Sequence, residues 1–210
     1  MTHYRAHRLI AASYDTMTAG LERQALAPRR ARLVGGLTGE VLDVGAGTGV
    51  NLPHLQAASR VVAVEPDPAM RSRLTRRAVR IGMTVDLLDA AAESLPFRDA
   101  HFDAVLFTLV LCTVADPHQA LTEARRVLKP TGHIVVIEHV RGADRLARWQ
   151  DRLTPLWRLL FAGDHLNRDT RASIEHAGFH WTYLENFQPL PAWIPASPMI
   201  CGTAVPKNTH

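Results

Sequence analysis

Short apolar runs and longer amphipathic stretches alternate along most of the chain. Seven runs have the length and the aliphatic or aromatic content of β-strands: 41–44, 61–64, 83–88, 102–108, 134–138, 179–187 and 199–205. Helical patterns follow the first, second and fourth runs, and this alternation is typical of an α/β domain built on parallel strands.

Capping residues mark where several of the helices begin. Asp67 and Asp116 are each followed by proline, and an N-cap acid with proline in the first turn predicts a helix start. Residues 3–35 also follow a helical pattern, with predicted interruptions around residues 15–18 and at Pro28. The chain is therefore expected to begin with a helical segment before its first strand.

The most informative stretch is residues 40–49, E-V-L-D-V-G-A-G-T-G. A strand pattern enters a loop with glycine at positions 45, 47 and 49, and a helical pattern begins near Val50. Glycine permits positive φ and removes the Cβ atoms that would keep a ligand away from the backbone. The N–H groups at the start of a helix attract anions. We therefore expect a flat or anionic ligand to bind against this loop.

Two nearby positions restrict the kind of ligand. A dinucleotide fingerprint requires a third glycine at position 50, where this chain has valine, and this weakens a dehydrogenase interpretation. Glu65 directly follows the predicted strand 61–64, and an acid at the tip of that strand is suited to two ribose hydroxyls. The pattern thus favours a ligand that contains a ribose.

The loop and the following V-V-A-V-E-P segment resemble the class I S-adenosylmethionine (SAM)-dependent methyltransferases. A wider set of positions is similar to the small thiol S-methyltransferases called methyltransferase-like seven proteins and to their bacterial relatives. These positions are 42–51, 108–112, 138–140, Trp149, Gln150, Pro155, Trp157, Gly163, Leu166, Arg168 and Trp193. The resemblance implies one Rossmann-like domain over residues 1–210, with helices on both faces of a seven-stranded, mostly parallel sheet that contains one antiparallel strand.

The resemblance also divides the chain by role. It implies a helical cap over 1–38, a SAM-binding core over 39–140, and substrate-side helices with the last two strands over 141–210. The residues expected to contact SAM are Tyr14, Asp43, Gly45, Ala46, Gly47, Glu65, Pro66, Ala92, Glu93 and Thr108. For the segment around Tyr14 the alternative is local, with Asp15 capping the end of a helix.

Residues 90–97 resemble the family segment that meets the adenine edge, with one departure. Ala91 stands where the family commonly has an acid. Adenine recognition is then expected to depend on the backbone of Ala92 and Glu93, or on Asp89 moving in.

The predicted acceptor side begins where the fifth strand ends. Glu138 and His139 follow four aliphatic residues, and His165 belongs to the tail of the chain. We consider all three as catalytic candidates for substrate contact or proton removal. The alternative is that they hydrogen-bond to neighbouring loops. No metal site is predicted, because the histidines do not form a cluster with other ligand residues.

The resemblance implies an in-line displacement that moves the methyl group of SAM to a small, rather apolar acceptor, with S-adenosylhomocysteine as the product. A thiol acceptor is favoured. The alternatives are N-methylation of a lipid amine of the phosphatidylethanolamine type and C- or O-methylation of a quinone or phenol. An alternative of another class is a SAM-binding or peripheral-membrane module without turnover.

The net charge and one amphipathic helix indicate which binding partners to expect. The formal net charge is +4, but no nucleic-acid-binding module accompanies it, so no nucleic-acid partner is expected. Residues 145–161 are predicted as a helix in which tryptophans lie beside arginines. Its apolar stripe consists of Leu146, Trp149, Leu153, Leu156 and Leu160. We expect this stripe to pack on the domain's own sheet; the alternative is weak peripheral contact with a membrane.

Targeting signals and cysteines add little chemistry. The N-terminus lacks the apolar core of a signal peptide, and no apolar run approaches the about 20 residues that span a bilayer. A cytoplasmic monomer or homodimer is expected. Cys112 and Cys201 are expected to be buried free thiols rather than a disulfide.

Overall fold

The computed structural model describes residues 19–160 and 163–207. Within them, seven strands form one sheet: β1 (Glu40–Val44), β2 (Arg60–Val64), β3 (Asp86–Leu88), β4 (Phe102–Thr108), β5 (Leu128–His139), β6 (Phe179–Phe187) and β7 (Met199–Pro206). The strand order is β3-β2-β1-β4-β5-β7-β6. Only β7 runs antiparallel to its neighbours. The predicted mostly parallel sheet with one antiparallel strand is confirmed.

The α-helices of the described residues are α1 (Ala27–Val34), α2 (Pro68–Ile81), α3 (Pro117–Val127), α4 (Asp144–Leu160) and α5 (Thr170–His176). Both predicted aspartate caps are present. The Asp67 carboxylate accepts a hydrogen bond from the backbone of Ala69 at 2.7 Å, and Asp116 accepts one from His118 at 2.9 Å. Each acid satisfies backbone donors that the first turn leaves unpaired.

Alternate side chains of the central strands enter two cores, one on each face of the sheet. Leu42 of β1 belongs to a cluster that includes Leu121 of α3 and Ile174 of α5. Its neighbour Val41 points to the opposite face and belongs to a cluster with Leu74 of α2. Because successive side chains of a strand alternate between faces, a strand that is covered on both sides must be apolar at every position. The predicted placement of helices on both faces is confirmed.

The helix predicted to begin near Val50 does not form. The glycine loop is followed by a single 3₁₀ turn, Leu52–His54, and the chain re-enters the sheet at Arg60. So short a connection leaves no room for a longer helix and its flanking loops. The expected anion-binding helix N-terminus is therefore absent, and the loop has to hold a ligand by its own backbone and by Glu65.

Pro28 does not interrupt the N-terminal helix as predicted. A π-helical segment, Glu22–Leu26, leads directly into α1. Proline removes one backbone donor and crowds the preceding turn, and a wider π-turn immediately before it is compatible with both effects. The helix therefore runs on to Val34.

The buried face of α4 is not the apolar stripe that the spacing predicts. Trp149 and Leu156 of that stripe are each 58% exposed, whereas Ala147, Gln150 and Thr154 are buried. The prediction that the stripe packs on the sheet is wrong for Trp149 and Leu156, whereas Leu146 and Leu153 are half-buried.

Hydrogen bonds of Gln150 explain this orientation. Its amide oxygen accepts from the Gly142 backbone at 2.7 Å, and its NH₂ group donates to the carbonyls of Val140 and Pro195 at 3.1 and 2.8 Å. A buried amide with its hydrogen bonds made loses little by leaving water. None of the helices in the described ranges is long and apolar enough to cross a membrane.

Candidate active site

The candidate site lies at the point where the strand order reverses. From β1 the sheet continues through β2 to one side and through β4 to the other, and ligands of open α/β sheets bind outside the carboxyl ends of strands at such a point. A cavity of about 460 Å³ occupies this place. Eight predicted SAM contacts line it: Gly45, Ala46, Gly47, Glu65, Pro66, Ala92, Glu93 and Thr108.

The three glycines of the loop have positive φ but different roles. A Cβ atom at Gly45 would overlap the side chain of Val110, and one at Gly49 would crowd Leu52 and Leu74 at 3.0 Å. At Gly47, whose φ is +56°, the nearest atom would be 3.9 Å away. Only Gly47 therefore keeps space open for a ligand in the cavity, whereas the other two allow the protein to pack against itself.

Glu65 ties the tip of β2 to the glycine loop. Its carboxylate accepts hydrogen bonds from the backbone N–H groups of Gly47 at 2.9 Å and Asp67 at 2.8 Å. Burial raises its pKa, and these two N–H groups oppose that effect. Each carboxylate oxygen has a second acceptor position. The geometry thus leaves Glu65 able to accept from hydroxyls of a ligand in the cavity.

Asp43 does not line the cavity but lies behind it, in a buried polar network. Its carboxylate accepts from the Asn51 amide at 2.8 Å, and the same amide donates to the Thr108 hydroxyl at 3.0 Å. Burial raises the pKa of Asp43 to about 7. Through Asn51, the network connects Asp43 with Thr108, which does line the cavity.

The N-terminal helix contributes a part of the site that the sequence analysis missed. Glu22, Leu26 and Arg30 line the cavity. Arg30 is buried, donates to the Glu22 carboxylate at 2.9 Å and also donates to the amide oxygen of Asn51. The spacing of this pair resembles that of any charged helix surface, so only the fold identifies it. Tyr14 lies outside the described residues.

The predicted adenine segment forms another wall of the cavity. The Glu93 carboxylate accepts from the backbone N–H groups of Ala115 and Asp116 at 2.8 and 3.1 Å, so it braces the loop before α3. Asp89 is instead paired with Arg71 of α2 at 2.8 Å, and it is not among the lining residues. The geometry favours the backbone of this segment over the Asp89 side chain.

On the predicted acceptor side, Glu138 is a fully buried anchor for the loop after β4. Leu109 has a positive φ of 58°, which turns the next two backbone N–H groups toward the strand beside it. Those of Val110 and Leu111 both donate to Oε1 of Glu138, at 2.7 and 2.8 Å. Burial raises the pKa of Glu138, against the effect of these N–H groups.

His139 forms a buried pair with Asp164, a residue that the sequence analysis did not select. Nε2 of His139 lies 2.8 Å from Oδ1 of Asp164, and the Trp157 indole donates to the same carboxylate at 3.0 Å. Burial lowers the pKa of His139, but the hydrogen bond and charge of Asp164 outweigh it, so that the pKa is raised. The pKa of Asp164 is lowered, since His139 and Trp157 outweigh its own burial.

Cys112 and His165 lie next to this pair. The Cys112 thiol is buried, and burial with the nearby Glu138 and Asp164 carboxylates raises its pKa well above the usual value. The backbone of His165 donates to the Cys112 carbonyl at 2.9 Å. Burial and Arg168 lower the pKa of the His165 ring. None of Glu138, His139 and His165 lines the cavity itself.

The strand order and the switch-point cavity define the class of this protein as a Rossmann-like α/β domain. Residues 42–136 match the family model described as a methyltransferase domain. The chain is 37% identical to thiol S-methyltransferase TMT1B of Rattus norvegicus over 172 residues, which are 79% of this chain and 70% of that protein. It is 34% identical to thiol S-methyltransferase TMT1A of Homo sapiens, with the same two shares covered.

A solved structure agrees at the level of the fold. The DhpI–SAH complex superposes with a TM-score of 0.69 at 20% identity, and the match covers 99% of this chain and 95% of that one. Together, these similarities show that the chain belongs to the family of SAM-dependent methyltransferases that includes TMT1A and TMT1B. Its cofactor is SAM.

Proposed function

We propose that this SAM-dependent methyltransferase moves the methyl group to the sulfur of a small, rather apolar thiol. The observation that carries the proposal is the similarity to thiol S-methyltransferases over 79% of the chain. That share is much larger than residues 42–136, which match the general methyltransferase domain. The likeness to thiol S-methyltransferases is therefore not confined to the part of the chain that methyltransferases of every kind share.

The proposal places SAM in the switch-point cavity. The open space at Gly47 supports direct contact between the backbone of the loop and the cofactor. The unused acceptor positions of Glu65 support hydrogen bonds from the ribose hydroxyls. The walls at Pro66 and at residues 91–93 would hold the adenine. Asp43 would act from behind the cavity, through Asn51.

The reaction mainly requires the acceptor sulfur to be aligned with the methyl group. SAM supplies a methyl group that is already bonded to a positively charged sulfur. The protein's own residues must hold the thiol in line with that methyl group and exclude water. They must also favour the thiolate, because a free thiol with a pKa of about 8.5 is only a few per cent ionised at neutral pH.

We propose that the polar groups behind the loop 109–112 serve the acceptor. Glu138 is a positioning residue in this scheme, because it fixes the backbone of Val110, which also lines the cavity. His139 and His165 are the candidates for contact with the acceptor, and Arg168 adds a permanent positive charge that favours an anion.

The test is a measurement of S-adenosylhomocysteine release from SAM with a panel of small thiols, amines, phenols and quinones. A calorimetric titration with SAM accompanies it. Release with thiols alone supports the proposal. Release only with a lipid amine, or only with a quinone or phenol, would replace the thiol by that acceptor. SAM binding without release from any acceptor would contradict turnover and favour a binding module.

The outer face of α4 supports weak contact with an anionic membrane surface as a second feature. Trp149, Leu156 and Leu159 are exposed on this helix, the last of them by 82%, and Trp193 in the loop before β7 is 77% exposed. Arg145, Arg148 and Arg152 are exposed on the same helix. Aromatic and aliphatic side chains beside arginines suit the interface of an anionic bilayer.

Flotation with vesicles tests this contact. The protein should float with vesicles that contain phosphatidylglycerol and much less with pure phosphatidylcholine. The double substitution Trp149→Ala with Trp193→Ala should weaken binding about tenfold. Val79→Ala, at a 76% exposed position of α2, is the matched control and should change nothing. Absence of flotation in the wild type would remove the membrane from the scheme.

A further inference from the structure

Three potential metal ligands from distant parts of the chain meet behind the loop after β4. Cys112 comes from that loop, His139 from the end of β5, and Asp164 from the segment after α4. One ligand atom of each lies within 4.8 Å of those of the other two. Cys112 and His139 are 2% and 6% exposed. Among the residues that the structure describes, these three form the group of His, Cys and acidic side chains whose ligand atoms lie close enough to share one ion.

The ion pair of His139 with Asp164 does not account for all polar atoms of the group. Nδ1 of His139 is buried and has no hydrogen-bond partner among the described residues. Most buried polar side-chain atoms have a partner, so the described residues alone do not fully satisfy the His139 ring, whose Nε2 faces Asp164 and is the atom that a cation would share. The Cys112 thiol of the same cluster interacts with the Asp164 and Glu138 carboxylates, and its sulfur is a soft metal donor.

The donor set suits a zinc-type cation. Sulfur, imidazole nitrogen and carboxylate oxygen are the usual ligands of Zn²⁺, and three protein ligands with an open fourth position are typical of catalytic sites. Bond lengths of about 2.0 to 2.3 Å put the ligand atoms of a tetrahedral site about 3.3 to 3.8 Å apart. His139 Nε2 and Asp164 Oδ1 are 2.8 Å apart, so a cation between them requires an opening of about 0.5 Å.

The surroundings would hold these ligands in place. The Trp157 indole orients the Asp164 carboxylate at 3.0 Å, and Glu138 fixes the backbone just before Cys112. Outer contacts of this kind orient the ligands of a metal site.

The charges of the ligands also suit a divalent cation. Asp164 and a Cys112 thiolate carry two negative charges, which the cation would neutralise, and the nearby Arg168 would offset the charge of an acceptor thiolate.

We propose that Cys112, His139 and Asp164 bind a zinc-type cation whose open fourth position takes the sulfur of the thiol acceptor. The inference rests on the proposed thiol methylation. The cation would supply the thiolate that this reaction needs, because a metal-bound thiol is deprotonated at neutral pH. Cys112 follows two residues after Val110, which lines the cavity, so the cation site adjoins the cofactor side.

The step balances as a displacement without redox change. The acceptor thiol binds as a thiolate and its proton goes to solvent. The thiolate sulfur forms the new bond to the methyl carbon, and the bond from that carbon to the sulfonium breaks with its electron pair left on sulfur. The products are a thioether and S-adenosylhomocysteine, and the thioether leaves because it is a weak ligand.

Cobalt substitution tests the site without relying on turnover. The full chain is freed of metal with a chelator and titrated with Co²⁺ under absorption spectroscopy. We expect one equivalent to give the visible bands of a tetrahedral site and a near-ultraviolet thiolate band. Cys112→Ser should remove the thiolate band, and Cys201→Ser, at the other buried cysteine, should retain it. Benzyl mercaptan should shift the visible bands. Absence of tetrahedral bands in the wild type would overturn the proposal, whether or not the variants fold.

Activity distinguishes the failure of this proposal from failure of the proposed function. Metal-free protein should lose thiol methylation at least tenfold, should recover it with Zn²⁺, and should keep its calorimetric affinity for SAM. If metal-free protein methylates thiols at the full rate, the cation site is overturned and the thiol reaction stands. If Co²⁺ binds as described but no thiol is methylated, the site stands and the acceptor is overturned.

Discussion

The two sides of the candidate site are built in different ways. The proposed cofactor side is an open cavity with much backbone in its wall, from residues 45–48 and 91–93. The proposed acceptor side is a nearly dry cluster of side chains, with Cys112, His139 and Asp164 packed behind a loop. A cavity is lost when it is filled, whereas a polar cluster is lost when one of its groups is removed. The two sides can therefore be broken separately.

The largest effect is expected from Gly47→Val. The substitution forces a β-branched residue to a φ of +56° and places two methyl groups in the cavity, so SAM affinity should fall at least about 100-fold in calorimetry. Gly82→Val is the matched control, because Gly82 has a φ of +67° with open space around it at the end of α2. The control should lower the melting temperature and leave SAM affinity unchanged. Wild-type affinity in Gly47→Val would mean that SAM binds elsewhere.

Removal of the proposed ribose contact should have a smaller effect on the same side. Glu65→Ala deletes hydrogen bonds to a charged acceptor, and the expected loss of SAM affinity is about 30-fold. Glu65→Gln keeps one acceptor oxygen, so its affinity for SAM should lie between those of Glu65→Ala and the wild type. Calorimetry at constant pH measures the SAM affinity of both variants. Thermal unfolding shows whether loss of the hydrogen bond from Gly47 also lowers the stability of the fold. If Glu65→Ala binds SAM as the wild type does, the carboxylate is only a brace for the glycine loop.

Most of the predicted SAM contacts could be chosen so that they line one cavity, because these residues are local in the chain. A strand, three glycines and an acid at the tip of the next strand occur at short, regular spacing, and their geometry follows from backbone rules. One local prediction failed, the helix near Val50, since the distance to Arg60 limits the connection to a single turn. The buried Arg30 could not be predicted, because its partner Asn51 comes from another element.

On the acceptor side, His139→Ala should slow methyl transfer about tenfold or more and leave SAM affinity unchanged. The reason is that His139 is in the cluster and not in the cavity wall. Single-turnover rates and calorimetry separate the two quantities. His180→Ala, at an exposed histidine of β6, serves as the control. A wild-type rate in His139→Ala would take this histidine out of the mechanism, and a loss of SAM affinity would show that the two sides are not independent.

The acceptor side resisted prediction because its contacts join residues that are far apart in sequence. His139 meets Asp164 only after α4 has folded back over the end of the sheet, and no spacing rule marks that pair. Helical periodicity also predicted the wrong buried face for α4. The pattern considers apolar residues only, and it takes no account of polar side chains that are buried with hydrogen-bond partners. Gln150 is buried by three hydrogen bonds to loops, and this places Trp149 on the outside.

The smallest expected effect concerns the buried network behind the cofactor cavity. Burial raises the pKa of Asp43 to about 7, against about 3.9 in an unfolded chain. Because the folded state holds this proton more tightly, the stabilising contribution is complete below about pH 4 and is lost as the pH rises toward 7.

Asp43→Asn cannot lose a proton and retains an acceptor for the Asn51 amide. Between pH 6 and pH 8, the unfolding free energy of the wild type should therefore fall by about 1 kcal/mol relative to the variant, as measured by urea unfolding. An equal pH dependence in the two proteins would show that Asp43 remains ionised in the fold. In that case the Asn51 hydrogen bond and the charge of Arg30, which both favour the ionised form, would dominate over burial.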